Sequence, residues 1–335
     1  MSVPRLYKSN FADLTRASPT IGFGIKWEHD GDAYDYSVNL NVPNEKVAAM
    51  RDIWRYHSEH ITQNGVNLCG RSGASQTDYD PYIGLFLQEK NLSANAARDA
   101  IAQLRDYCIY QPNTQTLRGT QIDPYQNSPL GLCGGRLAEA IDVLLKKDEE
   151  DEYFLGDLPM DDVLDLIEWA SEINVAAPKK TSINSSVPTA RQVIEFQDHF
   201  MRPGSQFTAY DASEGALYVL FLLCLALHPD TPPVFAVDSF DHAMHPRLAQ
   251  ATTRLFCDTL IKSGKTAFIT THNPLVLDGL NLGDDRIRLF AVNKNRNNGH
   301  TSLERIQIKE DLLDKGFSLS RLWIEGRLGG VPNLI

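Results

Sequence analysis

The sequence has no cysteine pair spaced as CxxC, no apolar run at its N-terminus and no apolar stretch long enough to cross a bilayer. Its five cysteines therefore predict neither a zinc site nor a disulfide framework, and they favour a reducing, cytoplasmic location. The longest apolar stretch, residues 216–227, is shorter than the roughly 20 residues of a membrane span. It predicts a core helix and no membrane partner.

Basic residues are also few, with 32 Lys and Arg against 43 Asp and Glu, for a net charge of −11. This balance argues against a protein whose whole surface holds nucleic acid, because phosphate contacts need Lys and Arg. A length of 335 residues suits one large domain or two modest ones with a sizeable core.

In the first half of the chain, the spacing of the apolar residues changes near residue 44. Two alternating stretches, residues 20–27 and 34–42, predict strands. Apolar residues then recur at helical spacing from Asn44, at Val47, Met50, Trp54 and Ile61. Further helices are predicted from Ser93, from Gly135 and from Asp161, the last of them extending to Ala170. We therefore predict three parts: a β-rich segment over 1–43, a mostly helical insertion over 44–187 and a C-terminal lobe over 188–335.

After Pro188 strands and helices alternate. Residues 193–196, 234–237 and 267–270 predict strands, and residues 214–227 and 247–261 predict helices. Two more strands are predicted over 286–292 and 302–308. Short apolar strands of this kind are typical of parallel sheets, so the fold class is α/β, a mixed sheet flanked by helices.

Three motifs in this lobe could carry chemistry. DASEGAL, residues 211–217, places Ser213 and Gly215 at the start of a helix, where N–H groups and the dipole attract anions. An ordinary helix cap would explain the same residues.

The other two motifs each end a buried strand. Asp238 follows VFAV and His272 follows AFITT, and one helix joins the two strands. Polar side chains at the carboxyl ends of neighbouring parallel strands share one rim, where such sheets bind ligands. There Asp238 could hold Mg²⁺ through water. A cap for the next helix and a structural histidine are the simpler alternatives.

With these motifs in this order, the sequence resembles the ABC-clan AAA ATPases of the SMC, RecF and OLD type, especially bacterial ones tied to phage defence. That family carries an SxG signature, a Walker B strand with an HP shortly after, and a THxP switch. The matches here are Ser213 to Gly215, Asp238 with His245 and Pro246, and Thr271 with His272 and Pro274. Residues 110–119 and 323–333 also resemble that family.

The resemblance implies an ABC-ATPase-like fold of the P-loop NTPase clan, with ATP and Mg²⁺ as cofactors. Ser213, Glu214 and Gly215 would contact the γ-phosphate of ATP held by a second subunit, so a homodimer or higher oligomer is expected. Asp238 would organise Mg²⁺, and His272 would sense the γ-phosphate.

Two departures from the family stand out. No Walker A loop of the form GxxGxGK[ST] is present. SGKT, residues 263–266, lacks the first glycine and precedes a strand, and the glycine-rich residues 67–75 contain no lysine. A shortened chain or a second polypeptide that supplies the loop would account for this. Ser239 occupies the position of the usual catalytic glutamate, and a serine hydroxyl is a poor general base. Asp241 is a candidate substitute.

Three functions remain open. The first is an ATPase-type subunit of an anti-phage or DNA-processing complex that controls a partner effector, a nuclease by analogy, with nucleic acid reached through the complex. The second is a non-hydrolysing pseudo-ATPase scaffold. The third is a nuclease in its own right, for which the acidic pairs Asp30/Asp32 and Asp284/Asp285 are weak candidates because they lie in turns.

Overall fold

The computed structural model describes residues 20–41, 55–72, 95–126, 129–150, 152–177, 192–202, 206–294, 300–307 and 318–329. The chain divides into two compact units, Met1–Asp106 and Tyr107–Ile335, and each is described by itself. The three-part division into 1–43, 44–187 and 188–335 stays a prediction.

The first unit contains an antiparallel four-stranded sheet and a helix: β1 (Thr20–His29), β2 (Asp32–Asn41), β3 (Arg55–Gln63), β4 (Val66–Ser72) and α1 (Asn95–Asp106). Asp30 and Gly31 have φ values of 50° and 86°, the left-handed pair that closes a tight hairpin. Tyr34, Ile61 and Ala97 are buried together, and this small core joins the sheet to the helix.

The sequence predicts a helix from Asn44 through Ile61, and this prediction is wrong at its C-terminal end. Residues 44–54 lie outside the described residues, and Ile61 belongs to β3. Glu59 and Ile61 are both buried, which is the two-residue period of a strand. β3 pairs with both β2 and β4, and this non-local pairing outweighs the local helical spacing.

The second unit alternates helices and strands. Its first half contains β5 (Cys108–Tyr110), α2 (Thr114–Leu117), α3 (Leu137–Leu144), β6 (Leu145–Lys147), β7 (Tyr153–Leu155), β8 (Leu158–Pro159), α4 (Met160–Leu166), β9 (Ala170–Ala176), β10 (Val193–Asp198) and β11 (Gln206–Thr208). Its second half contains α5 (Glu214–Leu227), β12 (Val234–Val237), α6 (Pro246–Ser263), β13 (Thr266–Ile269), α7 (Pro274–Asp278), β14 (Leu289–Lys294), β15 (Thr301–Ile306) and α8 (Leu319–Ile324).

The strands of this unit form four sheets within the described residues, in the orders β13-β12-β5, β11-β10-β9, β6-β7-β8 and β14-β15. The first is parallel throughout. The mixed α/β class predicted from the sequence is confirmed.

The mostly helical character expected for 44–187 is not found in the described residues, where β3 to β9 alternate with α1 to α4. Ala170 shows the cause. It was expected within the helix that begins near Asp161, but it starts β9 and pairs with Asp198 of β10. Sequence periodicity carries no information about so distant a partner.

The core of the second unit surrounds α5, whose residues 216–226 are all buried. A helix that is apolar on every side is typical of a protein interior. Burial also raises the pKa of the Cys224 thiol, and partial burial raises that of Cys257 to about 11, so both thiols stay protonated near neutral pH. Among the described residues no helix is both long enough and apolar enough to span a bilayer.

Candidate functional site

The parallel sheet brings three strand ends to one rim. Val237, the last residue of β12, pairs with Ile269 of β13 and with Tyr110 of β5. Asp238 and residues 270–273 therefore leave the sheet at the same edge, as the spacing of the two motifs predicts. Ligands of α/β sheets bind at this edge.

Asp238 is fixed by both neighbouring strands. Its backbone N–H donates to the Tyr110 carbonyl at 2.9 Å, and its Oδ1 accepts from the Thr270 hydroxyl at 2.6 Å. The same Thr270 oxygen accepts from the Ser239 N–H at 2.8 Å. Thr270 thus holds the carboxylate and the next residue at once, using both its donor and its acceptor.

Ser239 is exposed and has a φ of 56°, and Ala243 in the same loop has a φ of 61°. Left-handed backbone is uncommon for residues other than glycine and marks sharply constrained segments. The Phe240 N–H donates to the Thr270 carbonyl at 2.9 Å, which holds the turn against the end of β13.

Asp241 and His272 lie on the two segments that leave this rim. Asp241 accepts a hydrogen bond from the Thr271 hydroxyl at 2.6 Å, and that hydroxyl accepts from the Asn273 N–H at 3.0 Å. His272 lies between these two bonded residues and is exposed. Its backbone is therefore restrained, and its ring is open to a ligand.

The signature segment begins α5. The Ser213 hydroxyl accepts from the Ala216 N–H at 3.3 Å, so the simple cap reading holds for this residue. A Cβ atom on Gly215 would lie 3.3 Å from the Ala243 carbonyl oxygen. A side chain at this position would require the loop after β12 to shift by a few tenths of an ångström, so glycine favours the close approach of the first turn of α5. The signature segment and the loop that follows Asp238 are therefore in contact.

Two further contacts join this region to residues 110–119. The Tyr218 hydroxyl donates to the Pro112 carbonyl at 2.8 Å, and the ring of Tyr218 lies 5.3 Å from that of His242. The Arg118 guanidinium donates to the Ala212 carbonyl at 2.9 Å. Sequence reasoning missed Thr270, Tyr218 and Arg118, because only the folded chain brings their partners near. The nearest signal was the ITTHNP motif, which contains Thr270.

The SGKT segment is a helix end, as its position before a strand predicts. Gly264 caps α6 with a φ of 67°. The Lys265 ammonium donates to the carbonyls of Ala226 at 2.8 Å and His228 at 2.7 Å, at the C-terminus of α5. Burial lowers the pKa of Lys265 to about 8. This lysine is occupied by protein carbonyls and does not belong to a phosphate loop.

The residues at the rim suit Mg²⁺ only as a partial ligand set. Within the described residues no group of three or more His, Cys, Asp or Glu could hold a metal ion. Mg²⁺ commonly keeps several waters and takes one or two carboxylates plus phosphate oxygens. The Asp238 carboxylate, supported by Thr270, fits that mode, with the remaining ligands coming from water and a nucleotide.

The acidic pairs considered for a nuclease site are engaged elsewhere. Asp32 accepts hydrogen bonds from Gln63 and Asn64. Asp30 lies in the tight turn just before it. Asp284 is bound by the Arg286 guanidinium, and Asp285 by that of Arg305. The first pair is therefore explained by a turn, and the second by surface ion pairs.

The chain was compared with models of known protein families. Residues 113–278 match the family described as "AAA domain, putative AbiEii toxin, Type IV TA system". This match supports the AAA-ATPase part of the resemblance seen in the sequence. The matched segment runs from the cap of α2 to the end of α7 and includes Ser213 to Gly215, Asp238 and His272.

Two solved structures resemble the chain weakly. One is an SMC head domain from Thermotoga maritima, with 14% identity, 86% of this chain and 75% of that chain covered, and a TM-score of 0.43. The other concerns SMC ATPases, ATP-driven dimerization and DNA-stimulated activation, with 11% identity, 54% and 92% covered, and a TM-score of 0.32. No curated protein matches the chain.

Proposed function

We propose that this chain is an ATP-binding, ATPase-type subunit of a bacterial anti-phage defence or DNA-processing complex. In this proposal nucleotide-dependent assembly into a homodimer or higher oligomer controls a partner effector, a nuclease, and nucleic acid is reached through that complex. The single observation that carries the proposal is the rim of the parallel sheet, where Thr270 joins Asp238 to the end of β13 inside an AAA domain.

The proposed roles follow from placement at this rim. Asp238 holds Mg²⁺ through water, and the exposed ring of His272 contacts the γ-phosphate. Ser213, Glu214 and Gly215 begin α5, where unpaired N–H groups and the helix dipole favour an anion. They would contact the ATP of a second subunit. Contact between Gly215 and the loop after β12 offers a path by which either site could shift the other.

A second candidate, a pseudo-ATPase scaffold that binds without turnover, is favoured by Ser239. This residue stands where the family has its catalytic glutamate, and its backbone is held in a left-handed turn. Serine is a poor general base near neutral pH. Asp241, the candidate substitute, already accepts a hydrogen bond from Thr271. Binding and hydrolysis must therefore be measured separately.

The test is calorimetry with ATP and Mg²⁺, on this chain alone and mixed with the product of the neighbouring gene. Binding that is lost in Asp238→Asn and kept in Asp285→Asn supports the rim as the site, because the Asp285 side chain is fully exposed and distant in sequence. A measurement of phosphate release then distinguishes the two candidates, because an ATPase releases phosphate and a scaffold that only binds ATP does not. An absence of nucleotide binding in every mixture would overturn the nucleotide-dependent function.

A further inference from the structure

Asp241 lies on a firmly held loop. Its neighbour Phe240 is 1% exposed, and the Phe240 ring lies 5.3 Å from that of Phe256 on α6. The Phe240 N–H donates to the Thr270 carbonyl at 2.9 Å, and the Asp241 carbonyl accepts from the N–H of buried Met244 at 3.2 Å. The backbone of Asp241 is therefore fixed on both sides, and its side chain extends from a rigid support.

The carboxylate of Asp241 binds the segment that leaves β13. The Thr271 hydroxyl donates to Oδ1 of Asp241 at 2.6 Å, a short hydrogen bond to a charged acceptor. A hydroxyl has one proton and two lone pairs, so the Thr271 oxygen can still accept. It accepts from the Asn273 N–H at 3.0 Å. One carboxylate therefore orders the residue before His272 and, through Thr271, the residue after it.

The series of hydrogen bonds continues into α7. The Asn273 side chain accepts from the Leu275 N–H at 3.0 Å and caps this helix. His272 stands within the series and is exposed, and its ring makes no hydrogen bond or ion pair with any described residue. The direction of the ring is therefore set by the backbone on either side of it, which Asp241 and Thr271 hold.

Two roles for Asp241 can be distinguished. As a general base in place of Ser239, it would have to reach the attacking water and take its proton. In the structure its Oδ1 accepts a hydrogen bond from the residue before His272. A base needs a carboxylate, whereas a group that only holds Thr271 needs an oxygen that accepts. Asparagine has such an oxygen but is no base, so one substitution separates the two roles.

We propose that Asp241 is a positioning residue for His272. By binding the Thr271 hydroxyl, it holds residues 271–273 in the conformation that presents the His272 ring to the γ-phosphate of a bound nucleotide. Asp241 acts through His272 and not on the nucleotide itself. The inference rests on the proposed function, and it removes Asp241 from the groups that could replace the catalytic glutamate.

Hydrogen exchange of the Asn273 amide, followed by NMR on the full chain without nucleotide, tests the contact directly. Thr271→Val removes the acceptor of this amide, and Asp241→Ala removes the group that orients the acceptor. Each should speed exchange roughly three- to tenfold, the change that corresponds to one hydrogen bond. The double variant should be no faster than Thr271→Val, because both changes remove the same contact. Asp241→Asn and Thr271→Ser keep the contact and should exchange at the wild-type rate.

Asp278→Ala is the matched control. Asp278 also accepts from a hydroxyl at 2.6 Å, that of Ser320, and it lies at the other end of α7. Its loss should leave exchange of the Asn273 amide unchanged. Wild-type exchange in Asp241→Ala, or equal acceleration in Asp278→Ala, would overturn the positioning role.

Calorimetry with Mg²⁺ and either ATP or ADP tests the consequence for His272. Asp241→Ala and Thr271→Val should weaken ATP binding roughly three- to tenfold and leave ADP binding unchanged, because ADP has no γ-phosphate. Asp241→Asn should keep the wild-type affinity for ATP. Unchanged ATP affinity in Asp241→Ala would contradict the proposal. So would loss of phosphate release in Asp241→Asn with release kept in Thr271→Val, which would make Asp241 the base.

The two measurements separate this inference from the function on which it rests. If the chain binds neither ATP nor ADP, alone or with the product of the neighbouring gene, the nucleotide function is rejected. The expected changes at the Asn273 amide would then still show that Asp241 holds the His272 segment. Nucleotide binding by the wild-type chain, with an Asn273 amide that does not respond to Asp241→Ala, would do the reverse.

Discussion

The two faces of the sheet β13-β12-β5 are made from the same three strands, yet they differ in almost every respect. Phe235 is fully buried and Phe268, one residue out of phase with it on the next strand, is 59% exposed. The buried face is packed by α5, whose Phe221 lies edge-on to Tyr110 at 6.0 Å. Among the described residues, the helices of the core cluster pack against this buried face, while large apolar side chains on the other face stay exposed. The same three strands thus provide one close-packed face and one exposed face.

The largest effect is expected from Phe235→Ala. This side chain packs edge-on against Tyr110 at 5.8 Å and has no exposed surface. Its removal leaves a cavity and should lower the free energy of unfolding by about 3–5 kcal/mol. Urea denaturation followed by circular dichroism measures this. A cost below about 1 kcal/mol would mean that the face is not close-packed.

Thr270→Val tests the rim between the two faces. Valine keeps the shape but removes the hydroxyl that binds Asp238 and accepts from the Ser239 N–H. The expected cost is about 0.5–1.5 kcal/mol, because the lost hydrogen bonds are exposed and water can replace the hydroxyl. Thr266→Val is the control, since this exposed side chain begins the same strand. Equal effects in the two variants would show that the rim contacts add nothing.

The sequence allows prediction of the elements whose signal is local. The bounds of α5 and β12 match the predicted ranges, because an unbroken apolar run and a short β-rich strand need no distant partner to be recognised. The edge position of Asp238 follows from the strand–helix–strand order. Its link to Thr270 does not, because the register of two parallel strands decides which side chains meet.

Contacts between residues that are far apart in the sequence could not be predicted. Arg118 and Ala212 are 94 residues apart, and no pattern in either segment indicates the other. The sequence also gave no sign that Ile109 and Phe268 are exposed, because VFAV and AFIT are typical of strands buried on both faces. That a single face of the sheet is buried can be seen only from the packing of the helices in the structure.

Lys265 offers a pH test of the buried side of β13. Its folded-state pKa is lowered to about 8, whereas an unfolded lysine has a pKa of about 10.4. Between these values the unfolded chain binds more protons, so stability rises with pH. Lys265→Met should lack this rise. Urea denaturation at several pH values across the window compares the two proteins, and parallel curves would contradict the assigned burial.

Phe268→Ala should have the smallest effect, within about 0.5 kcal/mol, although it removes the same ring as Phe235→Ala. The reason is that the Phe268 side chain stays mostly in water when the chain folds, so its removal forfeits little buried area. Ile109→Ala, on the same face of the sheet, should behave alike. Urea denaturation under the conditions used for Phe235→Ala gives the direct comparison. A cost of several kcal/mol for Phe268→Ala would show that this chain already covers the face, and the contrast between the two faces would be lost.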